Sequence, residues 1–93
     1  KILRLNPYYL SIYKKIADVY YEEGDLDKAI RYNKRGLMLS PADFNWHFGL
    51  AFLYREKGEK EKAFAYAEAA LKLAPDNGKV KEFIENINKL PSF

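Results

Sequence analysis

The chain has no cysteine, no glutamine and no threonine among its 93 residues, and a single histidine. Without cysteine there is no disulfide framework, no zinc–thiolate site and no thiol nucleophile, and the redox compartment stays open. A bilayer-spanning helix needs about 20 consecutive apolar residues. No stretch here approaches that length, and no signal-peptide pattern is visible. Convergent catalytic groups are equally scarce. His47 is the sole histidine and the only serines are Ser11, Ser40 and Ser92, so no nucleophile–base pair can be placed by spacing. The five glycines are isolated, which excludes a phosphate-cradling loop. A metal would require His47 to recruit Asp43 or remote carboxylates, and no ligand spacing points to one. The expectation is a protein that is not an enzyme, with no cofactor and no metal.

What is present suits a small folded domain. The composition is 48% hydrophobic and 31% charged, with a net charge of +3. Loss of Gln and Thr beside abundant Lys and Glu matches the bias of thermophilic proteins. The chain starts at Lys1, without methionine and partway through a structural unit, so a piece of a longer protein is expected.

That unit is defined by a period. Pro7, Pro41 and Pro75 stand 34 residues apart, and the same step joins Tyr20 to Tyr54, Gly24 to Gly58, Ala29 to Ala63, Leu37 to Leu71 and Leu39 to Leu73. A fixed period of this length marks one helical unit copied and stacked. Within each copy, apolar residues recur twice at helical spacing. Ile12, Ile16, Val19 and Tyr20 line a first helix, and Leu26, Ala29, Ile30 and Leu37 a second. Trp46, Leu50, Leu53 and Tyr54, then Ala63, Phe64, Ala67, Ala70 and Leu71, repeat the scheme. Gly24 and Gly58 fall at the turns between helices, where positive φ is needed. Asp25 can cap the next helix, and each proline blocks continuation of the previous one. Small residues (Ala17 and Ala51, Ala29 and Ala63, Gly36 and Ala70) mark close helix approaches. Helices are expected over 9–23, 26–39, 43–57, 60–73 and 78–90. The fifth, with Val80, Phe83, Ile84, Ile87 and Leu90, covers the second unit. The organisation is one domain: the end of a preceding repeat over 1–7, repeats over 8–41 and 42–75, and a capping helix over 76–93.

The pattern resembles the tetratricopeptide repeat, whose signature is W-x2-L-G-x2-Y, then A-x3-F, then P within 34 residues. The first unit has Tyr13-x2-Ile16-Ala17-x2-Tyr20, Ala29-x3-Asn33 and Pro41. The second has His47-x2-Leu50-Ala51-x2-Tyr54, Ala63-x3-Ala67 and Pro75. Tyr13 and His47 depart at the tryptophan slot, Asn33 and Ala67 at the second aromatic slot, and both departures bear on packing more than on architecture. Pentatricopeptide repeats run one residue longer and lack this glycine and proline punctuation. The resemblance implies an all-α fold: a right-handed superhelical stack of antiparallel helix pairs, about five helices in all. It implies a non-catalytic scaffold holding a peptide or helix of a partner protein in a concave groove. The alternative is a structural module for self-association or domain stacking, and a third reading is a regulatory segment fused to a catalytic domain.

By position, the resemblance places Lys14, Asp18, Tyr21, Asn45, Phe48, Phe52, Arg55 and Lys79 in the groove, with Ser11, Glu22, Glu56, Glu82, Asn86 and Lys89 beside them. Phe48 and Phe52 stand one turn apart and are expected to share a face. They act there either as an apolar anchor for a ligand or as a brace between helices. Some relatives grip a C-terminal carboxylate with lysine, asparagine and arginine. Here Lys14 and Lys79 fit that clamp, but Asp18, Gly49 and Phe83 fall where asparagine, asparagine and arginine are needed, so that ligand is rejected. On the outer helix, Lys28, Arg31, Lys34 and Arg35 form a basic stripe. Asp25 and Asp27 flank it and the second unit replaces it with Glu61, Lys62, Ala65 and Glu68, so no nucleic-acid partner and no membrane insertion are expected. Weak self-association is expected through the N-terminal face, where Ile2, Leu3 and Leu5 meet the open side of helix 9–23.

Overall fold

A computed structural model describes residues 7–89, and these form five α-helices. They are α1 (Pro7–Glu22), α2 (Leu26–Leu39), α3 (Phe44–Glu56), α4 (Lys60–Leu73) and α5 (Gly78–Asn88). Each begins and ends where the local chemistry dictates. Asp25 accepts a bond from the Lys28 amide at 3.1 Å, Asp43 from Asn45 at 2.9 Å, and Asn77 from Lys79 and Val80 at 2.9 and 3.2 Å. These side chains satisfy amides that the first helical turn leaves without partners. At the turns within each pair, Gly24 and Gly58 take φ of +84° and +82°. Their reversed backbone lets the next amide reach back into the finished helix: Asp25 N–H to Tyr20 O, and Glu59 N–H to Tyr54 O, both at 2.9 Å.

Turns this short fold α1 back on α2 and α3 back on α4. Each helix packs chiefly on its neighbours in chain order. The first helices α1, α3 and α5 therefore lie side by side at wider spacing, and the second helices form the other layer. The stack is drawn out, with extents of 45 × 31 × 20 Å and a radius of gyration of 13.5 Å. A compact chain of this length would have about 12 Å.

The core runs along the stack as Ala29, Ile30, Leu50, Ala51, Leu53, Tyr54, Ala63, Ala67, Phe83 and Ile87. Its close approaches use the small residues. The ring of Trp46 stands over Gly36 so tightly that a Cβ there would lie 2.5 Å from the indole. One period on, Ala70 and Val80 occupy these two places, and both are fully buried. The large ring thus stands over the residue with no side chain.

One expected core position differs. Val19 is 51% exposed, and Ile12 and Ile16 are only half-buried. Their equivalents in α3, Trp46, Leu50 and Leu53, are all buried. The reason is positional: α2 covers α3 and α4 covers α5, whereas no described helix covers that side of α1. Ile2, Leu3 and Leu5, and Leu90, lie outside the described residues.

Candidate functional site

The eight residues expected in a groove divide into three groups. Lys14, Asp18, Tyr21, Asn45 and Phe52 come together around one hollow of about 220 Å³ in the furrow between α1 and α3. Lys14 and Asp18, one turn apart on α1, form an ion pair at 2.8 Å on its rim. The Tyr21 and Phe52 rings pack against each other at its wall, with centroids 5.4 Å apart and tilted by 59°. Ala17 and Leu53 complete the apolar wall.

Phe48 and Arg55 instead close the next furrow, between α3 and α5. Phe48 stacks on Phe44 at 5.6 Å and meets Phe83 of α5 edge-on at 5.3 Å. Arg55 lays its guanidinium over Phe52 and Phe83, 5.1 and 4.7 Å from the ring centres, and its Nη2 lies 3.6 Å from a Glu56 carboxylate oxygen. Phe48 and Phe52 thus share a helix but turn to opposite neighbours, Phe48 toward α5 and Phe52 toward α1. Both are partly buried against the core. Lys79 stands apart, in the exposed first turn of α5.

Besides Ala17 and Leu53, two more residues outside the expected set line the first furrow, Asn33 and Gly49. Asn33, from α2, is 6% exposed, and its Nδ2 donates to Ala29 O at 3.0 Å within the same helix. Its Oδ1 faces Gly49 of α3 so closely that a Cβ on that glycine would stand 2.7 Å away. The signal for Asn33 is an amide in a slot that suits an aromatic. For Gly49 it is a glycine in mid-helix with no turn to make. The hollow continues toward the start of α1 into a second one of about 340 Å³. This second hollow shares Lys14 and Asn45 and adds Leu10, Ser11, Lys15, Asp43 and Trp46.

His47 is held structurally. Its Nε2–H donates to Pro41 O at 2.9 Å, and its ring lies 6.5 Å from Tyr66. Electrostatics elsewhere serve the frame. Lys57, at the end of α3, donates to Asp27 at the start of α2 at 2.7 Å and reaches Glu59 at 3.4 Å. That bond holds the Asp27 carboxyl below its ordinary range and the Lys57 ammonium above its own. Among the described residues no group of His, Asp and Glu gathers as metal ligands, and no helix is long and apolar enough to cross a membrane.

The family model for the tetratricopeptide repeat matches residues 20–87, well over half of the chain. The chain belongs to the tetratricopeptide repeat family, a fold that generally serves as a protein–protein interaction module and whose members are generally non-catalytic scaffolds. Two solved structures similar to it bear out the all-α helical-repeat fold. One is the anaphase-promoting complex hetero-tetramer Cut9–Hcn1, with a TM-score of 0.80 at 22% identity, covering 85% of this chain. The other is the first repeat domain of Spaghetti (RPAP3) bound to the HSP90 peptide SRMEEVD, with a TM-score of 0.56 at 15% identity, covering 95% of this chain and 97% of that one. The chain spans only 15% of the length of its Cut9–Hcn1 counterpart. No curated protein matches it by sequence.

Proposed function

We propose that this domain docks a peptide segment of a partner protein in the trough formed by its first helices. It does so without catalysis, with the two repeats at 8–41 and 42–75 supplying the walls and 76–93 covering the end. The observation that carries this reading is the gathering of Lys14, Asp18, Tyr21, Asn45 and Phe52 around one hollow. Aromatic walls supply contact area at low entropic cost, and the polar rim sets register. The HSP90 peptide held by the RPAP3 domain is acidic at its C-terminus. This chain lacks the lysine, asparagine and arginine set that would grip such an end, so we assign it a different peptide. Phe48, Arg55 and Lys79 extend the trough as a brace, a capped ring pair and a flanking charge. Selection from a displayed peptide library tests the reading. Bound peptides should be lost on Tyr21→Ala with Phe52→Ala and kept on Lys28→Glu with Arg31→Glu, on the outer layer. Equal capture by both variants overturns it.

A second reading, assembly through the N-terminal face, rests on the half-open Ile12, Ile16 and Val19 side of α1. The surface is apolar and lies where a preceding helix would stack.

A further inference from the structure

Comparing the two furrows position by position shows what opens the one between α1 and α3. One period links Lys14 to Phe48, Asn33 to Ala67 and Gly49 to Phe83. In the furrow between α3 and α5, Phe48 and Phe83 meet edge-on and fill the space, while Ala67 lies buried and apolar beneath. The same three places in the furrow between α1 and α3 hold a lysine drawn aside to Asp18, a glycine and an asparagine. Two rings are missing, so a hollow of about 220 Å³ remains. A buried amide replaces a methyl, so the hollow has a polar floor.

That floor is chemically specific. Asn33 is 6% exposed, and its Nδ2 is committed to Ala29 O. Its Oδ1 points to the Gly49 side of the hollow, as an acceptor on its floor. An acceptor on the floor of an otherwise apolar hollow gives an entering N–H or O–H a directional partner. The walls above it are the Tyr21 and Phe52 rings with Ala17 and Leu53, and the rim charges Lys14 and Asp18 cancel each other. A dry cavity of about 150 Å³ already admits benzene.

We infer that the furrow between α1 and α3 is a side-chain pocket for a neutral aromatic residue carrying a donor at its edge, tyrosine or tryptophan, whose O–H or N–H bonds Asn33 Oδ1. The inference rests on the peptide-docking reading and adds where the anchor enters and what it must be. Phenylalanine fits the walls but leaves the amide without its donor. Arginine or lysine brings a charge that the self-compensated rim does not balance.

The test uses blocked pentapeptides, Ala-Ala-Tyr-Ala-Ala and its Phe and Ala counterparts, titrated into the isotope-labelled chain and followed by amide NMR shifts. The tyrosine peptide should move the Gly49 amide and the Asn33 side-chain NH₂. It should bind roughly three- to tenfold tighter than the phenylalanine peptide, the contribution of one hydrogen bond. Asn33→Ala should erase that preference while leaving residual aromatic binding. Lys14→Phe with Asn33→Ala and Gly49→Phe copies the closed furrow into the open one and should abolish binding of both peptides with helicity unchanged. The inference falls if tyrosine and phenylalanine bind alike, if Asn33→Ala keeps the preference, or if no peptide binds at about 10 mM. Library peptides that bind the trough without tyrosine or tryptophan would leave the docking reading standing and remove the pocket.

Discussion

Glycine does three different jobs in this chain, and single substitutions separate them. Gly36 sits under Trp46, where an added Cβ would stand 2.5 Å from the ring. Gly36→Ala forces the indole off its packing and should destabilise by about 1–3 kcal/mol, as overpacking does. Gly24 has open space around it but a φ of +84°. Gly24→Ala should therefore cost about 1 kcal/mol for the left-handed backbone alone. Gly78, in the first turn of α5, has neither constraint, and Gly78→Ala should raise stability by about 0.4–1 kcal/mol. Chemical denaturation of the three variants checks the order. A stabilising Gly36→Ala would mean that Trp46 does not pack as described. The 34-residue step makes Gly36 and Trp46 readable as equivalents of Ala70 and Val80, but that Trp46 stands over Gly36 emerges only from the fold.

At the scale of helices, the stack is held by neighbour-on-neighbour packing and tied by few long-range polar contacts. Leu50 is fully buried in the middle of α3, between the two layers. Leu50→Ala should cost about 2–5 kcal/mol, against little for Val19→Ala at the exposed equivalent on α1. Thermal melts measure both, and similar losses would show that α1 is covered on that side. The Asp27–Lys57 bond gives a pH-dependent contribution whose sign follows from its two ends. Asp27 is held below its ordinary value by its bond to Lys57. Its share is present above the usual carboxylate range, near 3.9, and disappears as pH falls through the lower folded value. Lys57 is raised by the same bond. Its share is intact below about 10.4 and lost as pH rises through the higher folded value. Lys57→Met should thus lower the melting temperature slightly at neutral pH, lose that effect as Asp27 is protonated in acid, and lose it also in roughly 1 M salt. A loss that persists in acid would assign the effect to packing of the lysine stem.

Over the whole molecule, the two ends of the stack differ. α5 closes one end by placing Val80, Phe83 and Ile87 against the second unit, while among the described residues no helix covers Val19 and the half-buried Ile12 and Ile16 of α1. A repeat stack that ends in an open apolar side recruits a cover. If that face joins copies of this chain, light scattering over a hundredfold concentration range should show the mass rise with concentration, and Val19→Asp should return it to monomer. A concentration-independent mass in both proteins would dismiss assembly through this face and leave peptide docking as the function of the domain.

The period, the paired helices, the Asp25 cap and the glycine turns were readable from the chain, because each is a local choice, while the Asp43 and Asn77 caps came only with the structure. Proline, glycine and Asp or Asn act within a few residues of where they stand, and apolar spacing of three and four states which side of a helix is buried. That Lys14, Asp18, Tyr21, Asn45 and Phe52 lie on one side was expected by position within the unit, and they line one hollow. The partner of each side chain was not readable. Phe48 and Phe52 sit one turn apart and by spacing share a face, yet one ring fills the furrow toward α5 and the other lines the furrow toward α1. Asn33 looked like a lapse in an aromatic slot, and Gly49 like a gap. Only when α2 passes beneath the space between α1 and α3 do the two become the floor of one hollow. Spacing along a chain sets which face a residue joins, but a pocket is made by residues absent from facing helices, and such absences combine only in three dimensions.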